Sequence, residues 1–595
     1  MCLDGRKEER KVKLSVGKHL KLCVLIIRIT STGNPALHRM RQSQSQRLIG
    51  AFRLARPGVA QQPRHFSTRT HNSSKIAAHL REPLTKGCRP NLCYQPFSST
   101  ARMSTLSLKL PNGQQYEQPL GLFINNEFVE GRGEKFDVLD PALDKKILTL
   151  AGASPDDVDN AVKAAREAFE TGPWADFTGK DRSNILWKLA RILKREEKLL
   201  AAIDAYDLGK PFEATLAGDL DETVNVFEYY AGWADKIDGK TIDTSPDKLA
   251  YTVQEPLGVC AQIIPWNFPI MMLAWKVAPA LACGNVVVLK PAEQTPLSAM
   301  YFCTLIKEAG FPPGVVNIIP GLGNITGKAL AEHMDVDKIA FTGSTATGKS
   351  IMRSAAANLK NITLECGGKS PLIVFEDAEL KNAVQWAHGG IMDNSGQVCT
   401  STSRIYVHEK IYDDFLKTFV EFTEKNSTVG APFDEGATHG PQVSKAQYDK
   451  VLQYLEKGKS EGAKVLTGGA KVNRDGYFVQ PTVFVDAKEG SQIIKEEIFG
   501  PVVTISKFSS DAEAIAMAND TEYGLAAALF TEKISRAHKV ARKLKAGMVW
   551  INSSGDSHYG IPFGGAKSSG IGRELGSYAL DAYTQTKAIH VNLAV

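Results

Sequence analysis

The chain has 595 residues, 43% apolar and 23% charged: long enough for two or more domains, and too ordinary in composition for a wholly disordered or membrane-embedded protein. The formal charge of +6 is unevenly divided. Residues 1–102 hold 20 Lys and Arg against 4 Asp and Glu, a charge of +16, while the rest holds 51 against 61, a charge of −10. An acidic body excludes a nucleic-acid footprint, and no apolar run approaches the ~20 residues of a spanning helix, Leu22-Cys-Val-Leu-Ile-Ile27 being far too short. Nine Cys, four of them in the basic head, show no C-x-x-C or Cys/His spacing, so no metal site is expected and the thiols read as reduced.

Residues 1–102 lack sustained periodicity and are rich in Ser, Arg, Gln and Pro. No acid lies between Met40 and Arg81, and Leu48, Phe52 and Ala55 share a helical stripe with Arg47 and Arg53 off it, the composition of a mitochondrial transit peptide. Such a head cannot bury enough apolar surface to fold by itself. The expectation is a disordered targeting extension, cleaved between Arg64 and Met103, and a matrix enzyme. The alternative is a cytoplasmic protein starting at Met103.

From 103 to 250 the chain opens with short strands, Gly121–Ile124 and Asn126–Val129, followed by helices. Ser154 before Pro155 is an N-cap with Pro at the first helical position, ahead of Val158 to Phe169. Lys180 to Glu197 and Thr223 to Ile237 are further amphipathic segments. Thr241, Thr244 and Tyr251-Thr-Val253 read as a strand pair. From 258, apolar runs at Val259–Ile264, Val286–Leu289, Val315–Ile319, Lys338–Phe341 and Ile362–Leu364 alternate with helical segments beginning near Ile270, Pro296, Ile325 and Lys349. That alternation predicts a parallel sheet covered on both faces, with ligands at the strands' carboxyl ends. A second alternation, from Pro371–Phe375 through Gln442–Gly458, Val479–Phe484 and Val502–Phe508, predicts a second α/β domain. Ala588–Asn592 reads as a final strand with no partner nearby in sequence.

Between a predicted helix, Leu380 to Met392, and a predicted strand, Arg404 to His408, lies Asn394-Ser-Gly-Gln-Val-Cys399-Thr. A cysteine among small polar residues has the access that a nucleophilic thiolate needs, although taken alone it could equally be a buried structural thiol. Leu364-Glu365-Cys-Gly-Gly-Lys369 and Pro265-Trp-Asn267-Phe-Pro269 add a carboxylate base and an amide donor. A competing reading comes from Gly343-Ser-Thr-Ala-Thr-Gly348-Lys349-Ser350, which matches the P-loop pattern, with Glu376-Asp377 after an apolar strand as the acids of a magnesium site. Against a nucleotide-dependent enzyme, that loop lies fourth along the sheet and leaves Cys399 without a task. A glycine turn before a helix serves any phosphate, including a dinucleotide's.

The chain from about 118 to 592 resembles the NAD(P)-dependent aldehyde dehydrogenase superfamily, most closely its broad-specificity members. The resemblance runs through Pro265–Pro269, Lys290-Pro-Ala-Glu-Gln-Thr-Pro296, Phe341-Thr-Gly-Ser344, Leu364–Lys369, Gly396-Gln-Val-Cys399, Glu496-Glu-Ile-Phe-Gly-Pro501 and Pro562-Phe-Gly-Gly565. It implies a Rossmann-like cofactor domain at 103–237 and 257–367, a catalytic domain at 368–583, and a β arm at 238–256 and 584–595 that joins subunits into a homotetramer. It implies Cys399 as nucleophile, forming a thiohemiacetal and then a thioester. Asn267 and the Cys399 backbone N–H would meet the oxyanion, and Glu365 would be the base for deacylation, with Lys276 and Glu574 relaying its proton. It places NAD, in preference to NADP, against Ile264, Trp266, Lys290, Glu293, Gly323, Gly343, Ser344, Glu497 and Phe499, and a small aldehyde against Phe268, Met271, Trp275 and Phe563. The chain departs from its relatives at Asp393, where they carry an aromatic, at Val398, where some carry Cys, and over Ser553–His558, polar where they are often aromatic. A non-catalytic relative is the further alternative, and the retained Cys399, Glu365 and Asn267 argue against it.

Overall fold

The computed structural model describes residues 105–595. The basic head, its cleavage region and the start at Met103 lie outside the described residues.

Strand–helix alternation resolves into the expected two-domain α/β architecture. The first sheet has eight strands. Its centre is parallel, in the order Asn361–Glu365, Lys338–Thr342, Val259–Ile263, Val286–Lys290, Val316–Ile318. The three middle strands of this run are buried at every position, as a sheet covered on both faces requires. One group of helices on it includes Pro155–Glu170; the other is built on Gly179–Leu208, Asp221–Trp233 and Pro269–Ala282. Ser154 caps its helix through a full capping box with Asp157. The segment expected to begin at Lys180 runs much farther, from a Thr178–Asp181 capping box to Gly209 at φ 90°. The helix expected near Ile325 is instead a π-turn, Gly323–Gly327, leading into a short helix, Lys328–Glu332.

Seven strands form the second sheet, parallel except for its edge strand Lys464–Thr467, with Pro371–Val374 and Arg404–His408 at its middle. The orphan strands find each other: Thr584–Asn592 pairs antiparallel along the whole of Lys248–Pro256, and Thr241–Ser245 completes a three-stranded sheet.

The catalytic domain expected at 368–583 gives back its last segment. Gly570–Ile571 adds an antiparallel edge to Leu364–Glu365, and Leu575, Ala579, Leu580 and Tyr583 pack into the core beneath the first sheet. Two paired residues on a glycine-rich path carry no periodicity from which that return could be read.

The P-loop reading is corrected here as well. Gly343–Ser350 follows a strand of the first sheet, whereas Glu376 and Asp377 follow a strand of the second. Both acids are taken: the Arg536 guanidinium donates to Glu376 at 2.9 Å on both oxygens and to Asp377 at 3.0 Å. Lys349 is exposed and lies 3.7 Å from Glu522.

The Arg536 hydrogen bonds, against the opposing effect of burial, lower the Glu376 pKa from its ordinary 4.5 to about 2. A depressed carboxylate contributes stability above its unfolded pKa and loses it as pH falls through the folded value. Arg536→Ala should therefore lower the melting temperature at pH 6, and the gap to wild type should close as pH falls from about 4.5 towards 2. Thermal melts across that range check it; a constant or widening gap would contradict it.

Candidate active site

The carboxyl ends of the first sheet open on a cleft of about 940 Å³. Three separate segments converge in it. Register places Glu365 beside Thr342 at the strand ends, and the next turn, Cys366-Gly367-Gly368, runs directly under two others. A Cβ on Gly367 would stand 2.2 Å from the Glu497 carboxylate, and one on Gly368 would stand 2.5 Å from the Cys399 carbonyl oxygen. No other residue allows this approach. The two glycines thus admit the Glu497 carboxylate and the Cys399 peptide beside Glu365.

Cys399 sits after a tight turn in which Asn394, Ser395 and Gly396 all have positive φ. A Cβ on Gly396 would lie 2.0 Å from the Gly500 carbonyl oxygen, so the turn is pressed against the Glu497–Pro501 segment. Gln397 staples it: its Nε2 donates to the Asn394 carbonyl, and its Oε1 accepts from the Val443 backbone N–H. Asn267 approaches from the first sheet, buried, its Nδ2 donating to the Gln397 carbonyl at 2.9 Å, while Asn394 Nδ2 donates back to the Asn267 carbonyl at 2.9 Å. Of the five described thiols, Cys399 alone is not fully buried.

Glu365 is 4% exposed, and neither of its carboxylate oxygens has a hydrogen-bond partner. Burial pushes it well above the usual carboxylate range; Glu574 adds to this, and Lys276 and Arg573 oppose it. Burial likewise pushes the Cys399 thiol far up, with Glu497 and then Glu365 adding. Burial thus pushes both groups in the same direction, towards their protonated forms. Beneath them, Lys276 Nζ, fully buried, donates to Glu574 Oε1 at 2.5 Å and to Thr342 Oγ1 at 2.6 Å. Glu574 is delivered there by two backbone bonds with Phe563.

At one end of the cleft, Trp266 meets Phe499 edge-on at 5.2 Å, Glu497 accepts from the Gly368 N–H at 2.8 Å, and Ser344 caps the helix Thr345–Ala355 beside Gly343. At the other, Phe268 and Met271 stand with Trp275, whose ring meets Phe563 at 4.9 Å. The structure does not bring every candidate into this lining. Lys290, Glu293, Gly323 and Ile264 lie at the neighbouring strand ends. There Lys290 Nζ donates to Glu293 at 3.3 Å and to the Pro291 and Gly321 carbonyls, and the Ile264 N–H donates to the Lys290 carbonyl. Sequence reasoning missed Lys210 and the wall from Glu213 to Glu222, which also line the cleft; a π-turn at Thr215–Leu220 has no sequence period to announce it.

The model of the aldehyde dehydrogenase family matches residues 128–589. The chain is similar to an aldehyde dehydrogenase of Emericella nidulans, 54% identical over 481 residues, which are 80% of this chain and 96% of that one. It is 49% identical over 492 residues to aldehyde dehydrogenase [NAD(P)+] 1 of Saccharomyces cerevisiae, covering 80% and 96%. The solved NAD+ complex of an aldehyde dehydrogenase from Bacillus cereus superposes with a TM-score of 0.79 at 50% identity, over 80% of this chain and 96% of that one.

Since the Glu497 charge helps to hold the Cys399 thiol up, Glu497→Gln should shift the pH profile of Cys399 alkylation by iodoacetamide to lower pH. Peptide mass spectrometry over a pH series reads it. An unmoved profile, or one shifted upward, would show that Glu497 does not act on the thiol.

Proposed function

The chain belongs to the aldehyde dehydrogenase family, and from that premise we propose that it oxidises an aldehyde to the carboxylic acid with NAD, Cys399 acting as nucleophile and Glu365 as base. The observation that carries the reading is the meeting of the one accessible described thiol with a buried, unpartnered carboxyl and a pinned amide in one cleft.

Cys399 loses its thiol proton to solvent, and the thiolate Sγ attacks the aldehyde carbon. Asn267 has one amide proton committed to Gln397, which fixes the group and leaves its second N–H for the developing oxyanion, together with the Cys399 backbone N–H. The residues present fit a dinucleotide. Around Gly323 a Cβ would find nothing within 4 Å, the Glu293 carboxylate stands half-buried at the same strand ends, and the Ser344-capped helix offers its N-terminus. When bound, NAD supplies the acceptor for the hydride that leaves the former aldehyde carbon. Glu365, with its raised pKa, is a stronger base than an ordinary carboxylate and takes a proton from the water that opens the Cys399 thioester, releasing acid and thiol. Lys276 and Glu574 lie behind it to pass that proton on.

Support for a homotetramer joined through the three-stranded arm comes from its free edge: every residue of Thr241–Ser245 is exposed, Ile242 among them. Deleting 584–595 strips that hairpin of its long partner and should give smaller species by light scattering; an unchanged mass would count against the arm.

Cys399→Ala should abolish aldehyde-dependent NADH formation while NAD still binds, and Glu365→Gln should cut steady-state turnover by ~10²–10⁴ while sparing the first turnover. Near-normal oxidation by the alanine variant would sink the assignment. Run with NADP, the wild-type assay should return a lower kcat/KM, because a 2′-phosphate would meet the Glu293 carboxylate; equal values would remove Glu293 from the ribose.

A further inference from the structure

The segment that carries the oxyanion donor has little hold of its own. Trp266, Asn267 and Phe268 lie in neither a strand nor a helix, between Pro265 and Pro269, which donate no backbone N–H. The helix that follows, Pro269–Ala282, has no side-chain cap at Phe268. Among the described contacts, both hydrogen bonds of Asn267 run to the turn before Cys399. Its side chain gives one, to the Gln397 carbonyl, and its main chain takes the other, from Asn394 Nδ2. The same Asn394 nitrogen stands 3.4 Å from the Gln397 carbonyl, the acceptor of the Asn267 amide.

Two bonds in opposite directions do what one cannot. A single bond holds the end of the Asn267 amide but leaves the peptide behind it free to turn, and the second N–H would sweep with it. Fixing the carbonyl as well sets the backbone from which the side chain springs. Both residues are buried in the cleft wall. They also belong to different sheets: Asn267 follows a strand of the first, and Asn394 precedes a strand of the second. The donor is thus tied to the turn that carries Cys399, across the cleft from its own strand.

Asn394 also has a φ of 48°, a left-handed conformation that Asn, Asp and Gly tolerate, so the turn by itself accounts for the residue type. It does not account for a side chain that reaches across to a residue 127 positions away. We propose that Asn394 is a positioning residue for the oxyanion donor: its Nδ2, by holding the Asn267 carbonyl, keeps the free N–H of the Asn267 amide aimed where the aldehyde oxygen gains charge as the bond from Cys399 Sγ to the carbonyl carbon forms. This rests on the aldehyde-oxidising function proposed above. Donors fixed in advance need no reorganisation when the charge appears, so the effect is confined to steps that build an alkoxide. Displacement of iodide from iodoacetamide by the same thiolate builds none.

The test uses the full-length protein, NAD and propanal, with alkylation of Cys399 by iodoacetamide followed by peptide mass spectrometry on the same preparations. Asn394→Gly keeps the left-handed turn and should lower kcat/KM for propanal about tenfold, while the alkylation rate stays within about twofold of wild type. Asn394→Asp keeps the shape as well but sets an oxygen against the Asn267 carbonyl, so kcat/KM should fall at least as far. In an Asn267→Ala background, Asn394→Gly should cost less than about threefold, because the amide that it serves is gone. A glycine or aspartate variant with wild-type kcat/KM, an equal fall in kcat/KM and alkylation, or the full loss repeated in the Asn267→Ala background overturns the inference and leaves aldehyde oxidation standing. Undiminished kcat/KM in Asn267→Ala itself removes the oxyanion donor and this inference with it. Wild-type protein that does not oxidise propanal overturns both the inference and the function on which it rests.

Discussion

Everything in the active site depends on a close crossing of backbone at Gly367 and Gly368. There the turn that leaves the first sheet passes so close that a methyl group on Gly368 would collide with the Cys399 carbonyl oxygen and one on Gly367 would displace the Glu497 carboxylate. The consequence is catalytic geometry made from three distant stretches of sequence with no flexible linker between them. Glu365 comes from a strand end of one sheet, and Cys399 from the loop that enters the other. Gly396 repeats the device against Gly500, so the Cys399 loop is clamped from both sides.

That crossing also sets the electrostatics. Glu365 lines the cleft but is almost wholly buried, and neither of its oxygens has a protein donor, a costly state that the surrounding packing has to hold. Burial pushes both this carboxyl and the Cys399 thiol upward, and behind them Lys276 Nζ meets Glu574 Oε1 at 2.5 Å. For the proposed deacylation, that shift gives Glu365 the raised affinity for protons that water activation needs. Elsewhere in the cleft Lys210 Nζ donates to Asp219 at 2.6 Å, and Asp393 and Glu222 stand in the same lining.

How much of this was legible in the sequence follows from which signals have a period. Val259–Ile263, Val286–Lys290 and Lys338–Thr342 are continuous apolar runs, and the structure makes them the buried centre of a parallel sheet. The helix Leu380–Met392 and the strand Arg404–His408 on either side of Cys399 fall at the bounds that the pattern predicts. Cys399, Glu365 and Asn267 were legible as motifs, and their meeting was not, because the crossing at Gly367–Gly368 is a tertiary contact. Gly570–Ile571 and the π-turn Thr215–Leu220 were invisible for a related reason: two residues, or one irregular turn, leave no periodic trace. Gly343–Ser350 shows the opposite failure, a motif complete in letters whose acids lie on the other sheet, held by Arg536. Lys210 and its acids carry no motif at all and are read only from the cleft that they line.

The account stands or falls on covalent chemistry at Cys399 released by Glu365. The direct measurement is peptide mass spectrometry of the Glu365→Gln protein, quenched in acid after mixing with NAD and an aldehyde. The account predicts the acyl mass of the oxidised aldehyde on Cys399, accumulating towards one per chain and absent when NAD is left out. An unmodified Cys399 in protein that has formed one equivalent of NADH, or the acyl group on any other residue, would contradict it.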